Sequence, residues 1–401
     1  MPGVLNRHVC CDRRVSDGPC ERGREIKDDV KRRVDRNRKL AETLRFNTDR
    51  TFHEDLHRAV DEYFRSTGRQ KRGGWQIYVK SCVILACFFL SYFLLVFLAQ
   101  NVLQGLVLAI ILSSSITAIG FNIQHDGGHQ SFSDHRLVNR LAAMTMDLVG
   151  ASSYMWHWKH AMFHHNYVNI TGYDPDIDLG GLGRLSPHQE WLWFYRWQHL
   201  YMWVLYGLLV VKWQFFDDFK NLITGRIYRH RMPRPKGADL LIFIAGKLSF
   251  LTLAFVIPLF YHPPGAVVFF YFVTVLTMGV PLSIVFQLPH CMERADFPLP
   301  VGDTGVMESP WAVHQARVTL DFDRRSPVRT WLLGGLNFHI EHHLFPGVCH
   351  TNYPGISKLV EEACRQAGVK YAEHPSIWAG LAEHYRWLKK MGMPDYIRGQ
   401  Q

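Results

Sequence analysis

Apolar residues in this chain gather in long blocks rather than at amphipathic spacing. Ile77 to Ala99 is almost continuously apolar, long enough as a helix to cross a hydrocarbon core. After a short turn at Asn101, Val102 to Ile123 returns. A second pair follows: Leu240 to Phe260, the turn Tyr261-His-Pro-Pro-Gly265, then Ala266 to Gln287. The pattern predicts four membrane spans in two hairpins, the fourth kinked near Gly279-Val-Pro281. Gly105, Ala109, Ser113 and Thr117 recur every four residues in the second span, a small-residue stripe that lets helices pack closely in lipid. Lys247, inside the third span, is expected to snorkel or to face the bundle.

Outside the spans the pattern changes. Leu137 to Trp156 is apolar but carries Asn139, Arg140 and Asp147, which suits an interfacial or re-entrant segment better than a span. Glu190 to Phe216 is rich in Trp and Tyr and reads as a helix at the membrane interface. Lys220 to Lys236 reads as a basic linker, and Pro354 to Ala367 as a helix. The expected fold is an all-α integral membrane protein. Residues 1–75 form a basic cytoplasmic N-terminal segment, partly disordered. Residues 76–401 form one domain of four transmembrane helices with a helical cap, residues 124–239 and 288–401.

Charge sets the orientation. The 401 residues carry a net charge of +10, with much of the excess before Lys80. The run Lys31-Arg32-Arg33-Val-Asp-Arg36-Asn-Arg38-Lys39 would suit nucleic acid, but acids interleave it and a membrane core follows. A solvated helix or a contact with anionic lipid is the better reading, and no nucleic-acid partner is expected. The two short turns between spans lack Lys and Arg while the other polar regions are rich in them, so the positive-inside rule places both termini and the cap in the cytoplasm. The eight cysteines are scattered without a disulfide framework. The N-terminus has no apolar stretch of the signal-peptide kind.

The chemistry is concentrated in histidines. His125-Asp-Gly-Gly-His129 stands at the end of the second span, His160-Ala-Met-Phe-His164-His165 follows, and His339-Ile-Glu-His342-His343 comes late. Histidines four apart share a helix face. So many imidazoles exceed the ligand set of one tetrahedral metal, and two metal ions sharing the clusters is the simplest reading. Imidazole alone leaves Fe, Zn, Cu or Ni open. Asp126, Asp174, Asp176 and Glu341 are candidates to hydrogen-bond the ligands and offset the metal charge. His157 lies three residues before His160, beside Trp156 and Trp158, and reads as an interface residue rather than a ligand.

These three motifs, in type, spacing and order, resemble the histidine boxes of the membrane fatty acid desaturase superfamily. The likeness runs from about Gly74 to the C-terminus. Within that family the chain is most similar to bacterial acyl-CoA desaturases of the linoleoyl-CoA type, through Gly172-Tyr-Asp174-Pro-Asp176-Ile and His343-Leu-Phe-Pro346 to Tyr353-Pro354. The resemblance implies nine ligands to two iron ions: His125, His129, His160, His164, His165, His339, His342, His343 and, after the last span, His290. It implies insertion of a cis double bond into an acyl-CoA or acyl-lipid, with O2 and two external electrons. No haem motif of the cytochrome b5 type is present in the chain, so a separate ferredoxin, rubredoxin or cytochrome b5-type donor, with its reductase, is expected. Front-end desaturases of similar sequence often carry Gln where His339 stands, so the resemblance leaves the double-bond position open. A membrane hydroxylase or monooxygenase of lipids or alkanes is the alternative. A non-catalytic haem or zinc protein is disfavoured, because haem needs only one or two axial histidines.

Overall fold

A computed structural model describes residues 44–302 and 304–394. The basic run at 31–39 lies outside the described residues. Among the described residues, four helices are long and apolar enough to cross a membrane. Taken with the short N-terminal helix α1 (Thr51–Thr67), they are α2 (Trp75–Leu98), α3 (Val102–Gly128), α7 (Ala238–Leu259) and α8 (Pro264–Gln287). Their outer faces stay bare: Leu103 is 71% and Phe260 80% exposed. In water such a belt would drive aggregation; in lipid it costs nothing.

Sequence chemistry explains how the hairpins turn. The Asn101 side chain accepts from the Gln104 backbone N–H, and the Gln104 side chain accepts from that of Gln100, two start-of-helix bonds at 3.0 and 2.9 Å. At the second hairpin Pro264 occupies the first turn of α8, where its missing N–H costs nothing. His262 donates to the Val96 carbonyl at 2.7 Å and ties the second turn to the end of α2. The small-residue stripe does close two helices: a Cβ on Gly105 would lie 2.4 Å from the Phe270 ring. α8 runs as one helix through Pro281.

Two sequence expectations are refined. The second span does not end at Ile123 but continues through the first histidine motif to Gly128. A π-helical turn at Gly120–Gln124 absorbs one extra residue there, without breaking the helix. The 137–156 segment is α4 (Arg136–Leu148), a surface-lying helix with Asn139, Ala142 and Asp147 buried. It is followed by α5, made of Ser153–Trp156, His157–His164 and His165–Tyr167. The aromatic stretch becomes α6 (Gln198–Lys212). α6 meets α8 where a Cβ on Gly279 would lie 2.4 Å from the Gly207 carbonyl. Lys247 faces the bundle, 2.8 Å from Asp218 and 2.7 Å from the Gly150 carbonyl.

The cap is completed by α9 (Trp311–Val318), α10 (Pro327–Leu332), α11 (His339–Leu344), α12 (Tyr353–Gln366) and α13 (Ile377–Met391). The helix expected at 354–367 is α12. α1 is amphipathic, and its buried stripe Leu56, Val60, Phe64 packs on Ile356 and Val360 of α12. Short strand pairs tie distant segments: Arg45–Asn47 beside Val306–Pro310, and Asp321–Phe322 beside Glu373–His374, both parallel. Arg226–Ile227 pairs antiparallel with His230–Arg231 within the basic linker.

Candidate metal centre

The end of α3, the length of α5, the loop after α8 and α11 converge on one buried cluster of imidazoles. α3 delivers His125 and His129, with ring centroids 4.8 Å apart. Two glycines make room between them. A Cβ on Gly127 would meet the Ala143 backbone nitrogen at 2.5 Å, and one on Gly128 would meet the Trp156 ring at 2.1 Å.

In α5 the segment His157–His164 is π-helical. A turn closed by i→i+5 bonds holds more than four residues, so positions i, i+4 and i+5 share a face while i and i+3 diverge. His160, His164 and His165 therefore all turn inward and are buried, whereas His157 is exposed. His157 contacts Trp158, as its sequence neighbours suggested.

Ligand-capable nitrogens form two foci. His125, His129, His160 and His342 place one nitrogen each within 4.8 Å of one another, and so do His164, His290 and His343. His165 lies between them, its ring stacked on His343 at 4.2 Å and 4.6 Å from both His129 and His342. His339 sits at the second focus, its ring 4.9 Å from His290 and 5.0 Å from His343. All nine histidines singled out from sequence are thus in one place.

The outer nitrogens of several rings are already committed. His339 Nδ1 donates to the Leu336 carbonyl at 2.8 Å and His290 Nδ1 to that of Val318 at 3.3 Å. His343 Nδ1 donates to Gln315 Oε1 at 3.0 Å, and His342 Nδ1 bonds the Tyr353 hydroxyl at 3.3 Å. The Nε2 atoms of these four, with those of His125 and His129, are buried and have no hydrogen-bond partner among the described residues. Orphaned polar atoms are rare in protein interiors, and so many aimed at one space need a shared partner. Burial pushes His160 down to about 4 and His339 to about 3, and holds His165, His290, His342 and His343 well below the usual imidazole range. Neutral lone pairs facing inward are the donor set a transition metal takes.

The four carboxylates singled out from sequence divide. Asp174 Oδ1 accepts from His164 Nδ1 at 3.1 Å, and Asp176 Oδ2 lies 3.5 Å from the same atom. Burial lowers His164, but these two acids outweigh it and raise its affinity for a proton. Burial alone would raise Asp176; Lys159 at 2.7 Å and the neighbouring histidines instead hold it well below the carboxylate range. Asp126 and Glu341, by contrast, hydrogen-bond none of the nine. Asp126, one residue beyond His125 on the helix, faces away toward His350 Nδ1 at 2.8 Å and Cys349 Sγ at 3.3 Å. Glu341, between His339 and His342, is turned outward to the Tyr371 hydroxyl at 2.9 Å.

Sequence reasoning missed the residues that hold the rings from outside. Gln315 bridges two motifs, donating to the His165 carbonyl at 2.9 Å while accepting from His343. Asn169 holds a left-handed backbone (φ 57°) and donates to the His290 carbonyl at 2.9 Å. Neither has a local signature, because each acts on a partner more than a hundred residues away in the chain. Trp156, 4.7 Å from His160, and Phe286, 5.9 Å from it, wall the site with apolar rings.

The fatty acid desaturase family model matches residues 98–375. The chain is 34% identical to the sn-1 linoleoyl-lipid 6-desaturase of Synechocystis sp., over 88% of this chain and 98% of that protein. It is 35% identical to the sn-1 linoleoyl-lipid 6-desaturase of Arthrospira platensis, over 85% of this chain and 93% of that one. It is 36% identical to the acyl-lipid (8-3)-desaturase of Physcomitrium patens, over 86% and 72% respectively. With its membrane helices and its converging histidines, the chain belongs to the fatty acid desaturase family, as an oxidoreductase that desaturates fatty acyl chains.

Proposed function

We propose that this protein inserts a cis double bond into the acyl chain of a membrane lipid, at two iron ions held by the nine histidines. The balanced reaction is –CH2–CH2– + O2 + 2 e⁻ + 2 H⁺ → –CH=CH– + 2 H2O. The observation that carries the metal assignment is the set of buried, partnerless Nε2 atoms at two foci. One ion would lie among His125, His129, His160 and His342. The other would lie among His164, His290, His339 and His343, with His165 between the two. A histidine-held iron pair with O2 supplies an oxidant able to take hydrogen from an unactivated C–H bond.

The rest falls to the chain. Gln315, Tyr353 and the Leu336 and Val318 carbonyls fix which ring nitrogen faces inward. Asp174 and Asp176 balance positive charge at His164. Trp156 and Phe286 keep water from the reacting carbons. An apolar cavity of about 310 Å³ between the spans, lined in part by Phe88, Leu112, Phe250 and Met278, has the polarity an acyl tail requires. The names of the relatives, which specify lipid-linked acyl groups, favour a lipid over a CoA thioester.

The cap and both termini face the cytoplasm in this reading, and the two electrons come from a separate one-electron carrier protein. Lipid profiling of a host expressing the chain tests the reaction. A new cis-unsaturated fatty acid in membrane lipids is the expected product; a hydroxylated fatty acid as main product would transfer the site to the monooxygenase class.

A further inference from the structure

A second, larger cavity lies apart from the apolar one, at the cytoplasmic end of α2 in the orientation proposed above. It has a volume of about 780 Å³, and four cations line it: Arg69, Lys80, Arg324 and Arg325. Among the described residues no carboxylate lines it. That imbalance is not spread evenly among the four. Arg324 is already engaged with Glu361 and Glu373. Arg69 and Arg325 make no ion pair with any described residue, and both are exposed at the mouth.

Lys80 is the unusual member. It is 5% exposed, yet no carboxylate lies within ion-pairing distance among the described residues. Its ammonium has three N–H donors. One goes to His350 Nε2 at 3.0 Å, and the charge lies over the Trp331 ring at 4.8 Å. The other donors find no acceptor among the described residues. A buried cation with spare donors facing a cation-lined cavity is a strong anion-binding arrangement, because desolvation strengthens each charge-assisted bond.

The walls are preformed. The irregular stretch before α2 is strapped to the loop after the third histidine motif: the Cys349 backbone N–H donates to the Lys71 carbonyl at 2.8 Å, and Asn352 Nδ2 to that of Gln70 at 2.9 Å. Gly73 and Gly74, at φ 68° and 102°, turn the chain into the span in a conformation that other residues rarely adopt. Trp75, 71% exposed, and Trp331, 47% exposed, flank the opening and mark the headgroup layer, where Trp side chains settle. Its floor is built from neighbours of the metal-centre residues. Phe338, which precedes His339, lines the cavity, and His350 passes from Lys80 to Asp126, the neighbour of His125.

We infer that this cleft binds the phosphate of the acyl donor and so sets the distance from its polar head at which the double bond is placed. The inference rests on the desaturase reading and gives it a substrate class, a phosphate-bearing acyl carrier. Phosphate could come from a phospholipid headgroup or from coenzyme A, and one experiment separates them. The purified full chain, loaded with iron, is titrated calorimetrically with dihexanoyl phosphatidylglycerol, with free coenzyme A, and with hexyl glucoside, which has an apolar tail but no phosphate.

One of the two phosphate probes should bind saturably, and which one does names the carrier. Arg69→Ala/Arg325→Ala should weaken it by about tenfold, the loss expected for charged hydrogen bonds at a partly exposed site. Lys80→Met should weaken it at least as much. Because Arg69 and Arg325 are exposed, the double variant stays informative even where Lys80→Met disturbs folding. Binding of neither phosphate probe, equal binding of hexyl glucoside, or a loss below about threefold in the double variant overturns the inference. Product formation is followed in the same preparations. A wild type that desaturates lipid while its cleft variants bind the probes unchanged would sink the cleft and leave the desaturase reading standing.

Discussion

Replacing Gln315 by Leu removes a side chain that hydrogen-bonds both the second and the third histidine motifs. Gln315 is fully buried, so water does not replace what is lost. The two bonds differ in consequence. The His165 carbonyl keeps a second donor, Trp311 Nε1 at 3.4 Å, and is not stranded. His343 has no such reserve: its Nδ1–H loses its acceptor, and nothing then holds Nε2 toward the metal focus. Stranding one buried donor costs roughly 1–3 kcal/mol. Losing an outer hydrogen bond to a metal-binding histidine typically lowers metal affinity by about 10–100-fold, and a cost near 2 kcal/mol corresponds to about thirtyfold. The assay is iron per chain after equilibration against a graded chelator. Gln315→Leu should release one iron at a chelator concentration about thirtyfold lower than wild type, while the other iron is retained. Gln315→Glu still accepts from His343 and should hold iron better than the Leu variant. Release curves for Gln315→Leu that overlay those of the wild type would refute the role given to this bridge.

Other outcomes follow from the same geometry. Gly128→Ala should lower iron content and activity together, because its Cβ would fall on the Trp156 ring that also packs on His129 and His160; iron analysis and turnover of the variant check it. His384 is buried between the Cys291 carbonyl and the Tyr206 hydroxyl, and burial pushes it down to about 4. Its folded value lies below its unfolded value of about 6.5, so this stability is full above pH 6.5 and is lost as pH falls toward 4, by about 3 kcal/mol in all. Thermal midpoints of wild type should drop across that window more steeply than those of His384→Gln; parallel curves would contradict it. Reporter fusions at Asn101 and Pro263 should lie outside the cytoplasm and one at Gly225 inside, and an external Gly225 would break the proposed orientation.

Much of this molecule was legible because membranes impose a simple code. Long apolar runs have few structural solutions in lipid, so the spans were placed to within a few residues. The exception is the end of the second span, where the helix continues through the polar Gln124, His125 and Asp126, which no hydropathy pattern reveals. The nine histidines were legible by repetition and by family resemblance. Their outer partners were not, because hydrogen bonds to Gln315, Asn169 and the Leu336 carbonyl depend on how the cap folds back on itself. Acids close in sequence misled for the same reason. Asp126 and Glu341 adjoin histidines in the chain, yet helix geometry turns both away, while Asp174, ten residues from His164, reaches it.

The claim at the centre of this account is that His290, alone in the sequence, completes a site for two iron ions. Iron per chain in purified wild type, His290→Ala and His157→Ala measures it directly. The expected result is two irons in wild type, a clear loss in His290→Ala with turnover abolished, and near-wild-type iron in His157→Ala. Full iron occupancy and turnover in His290→Ala would contradict it.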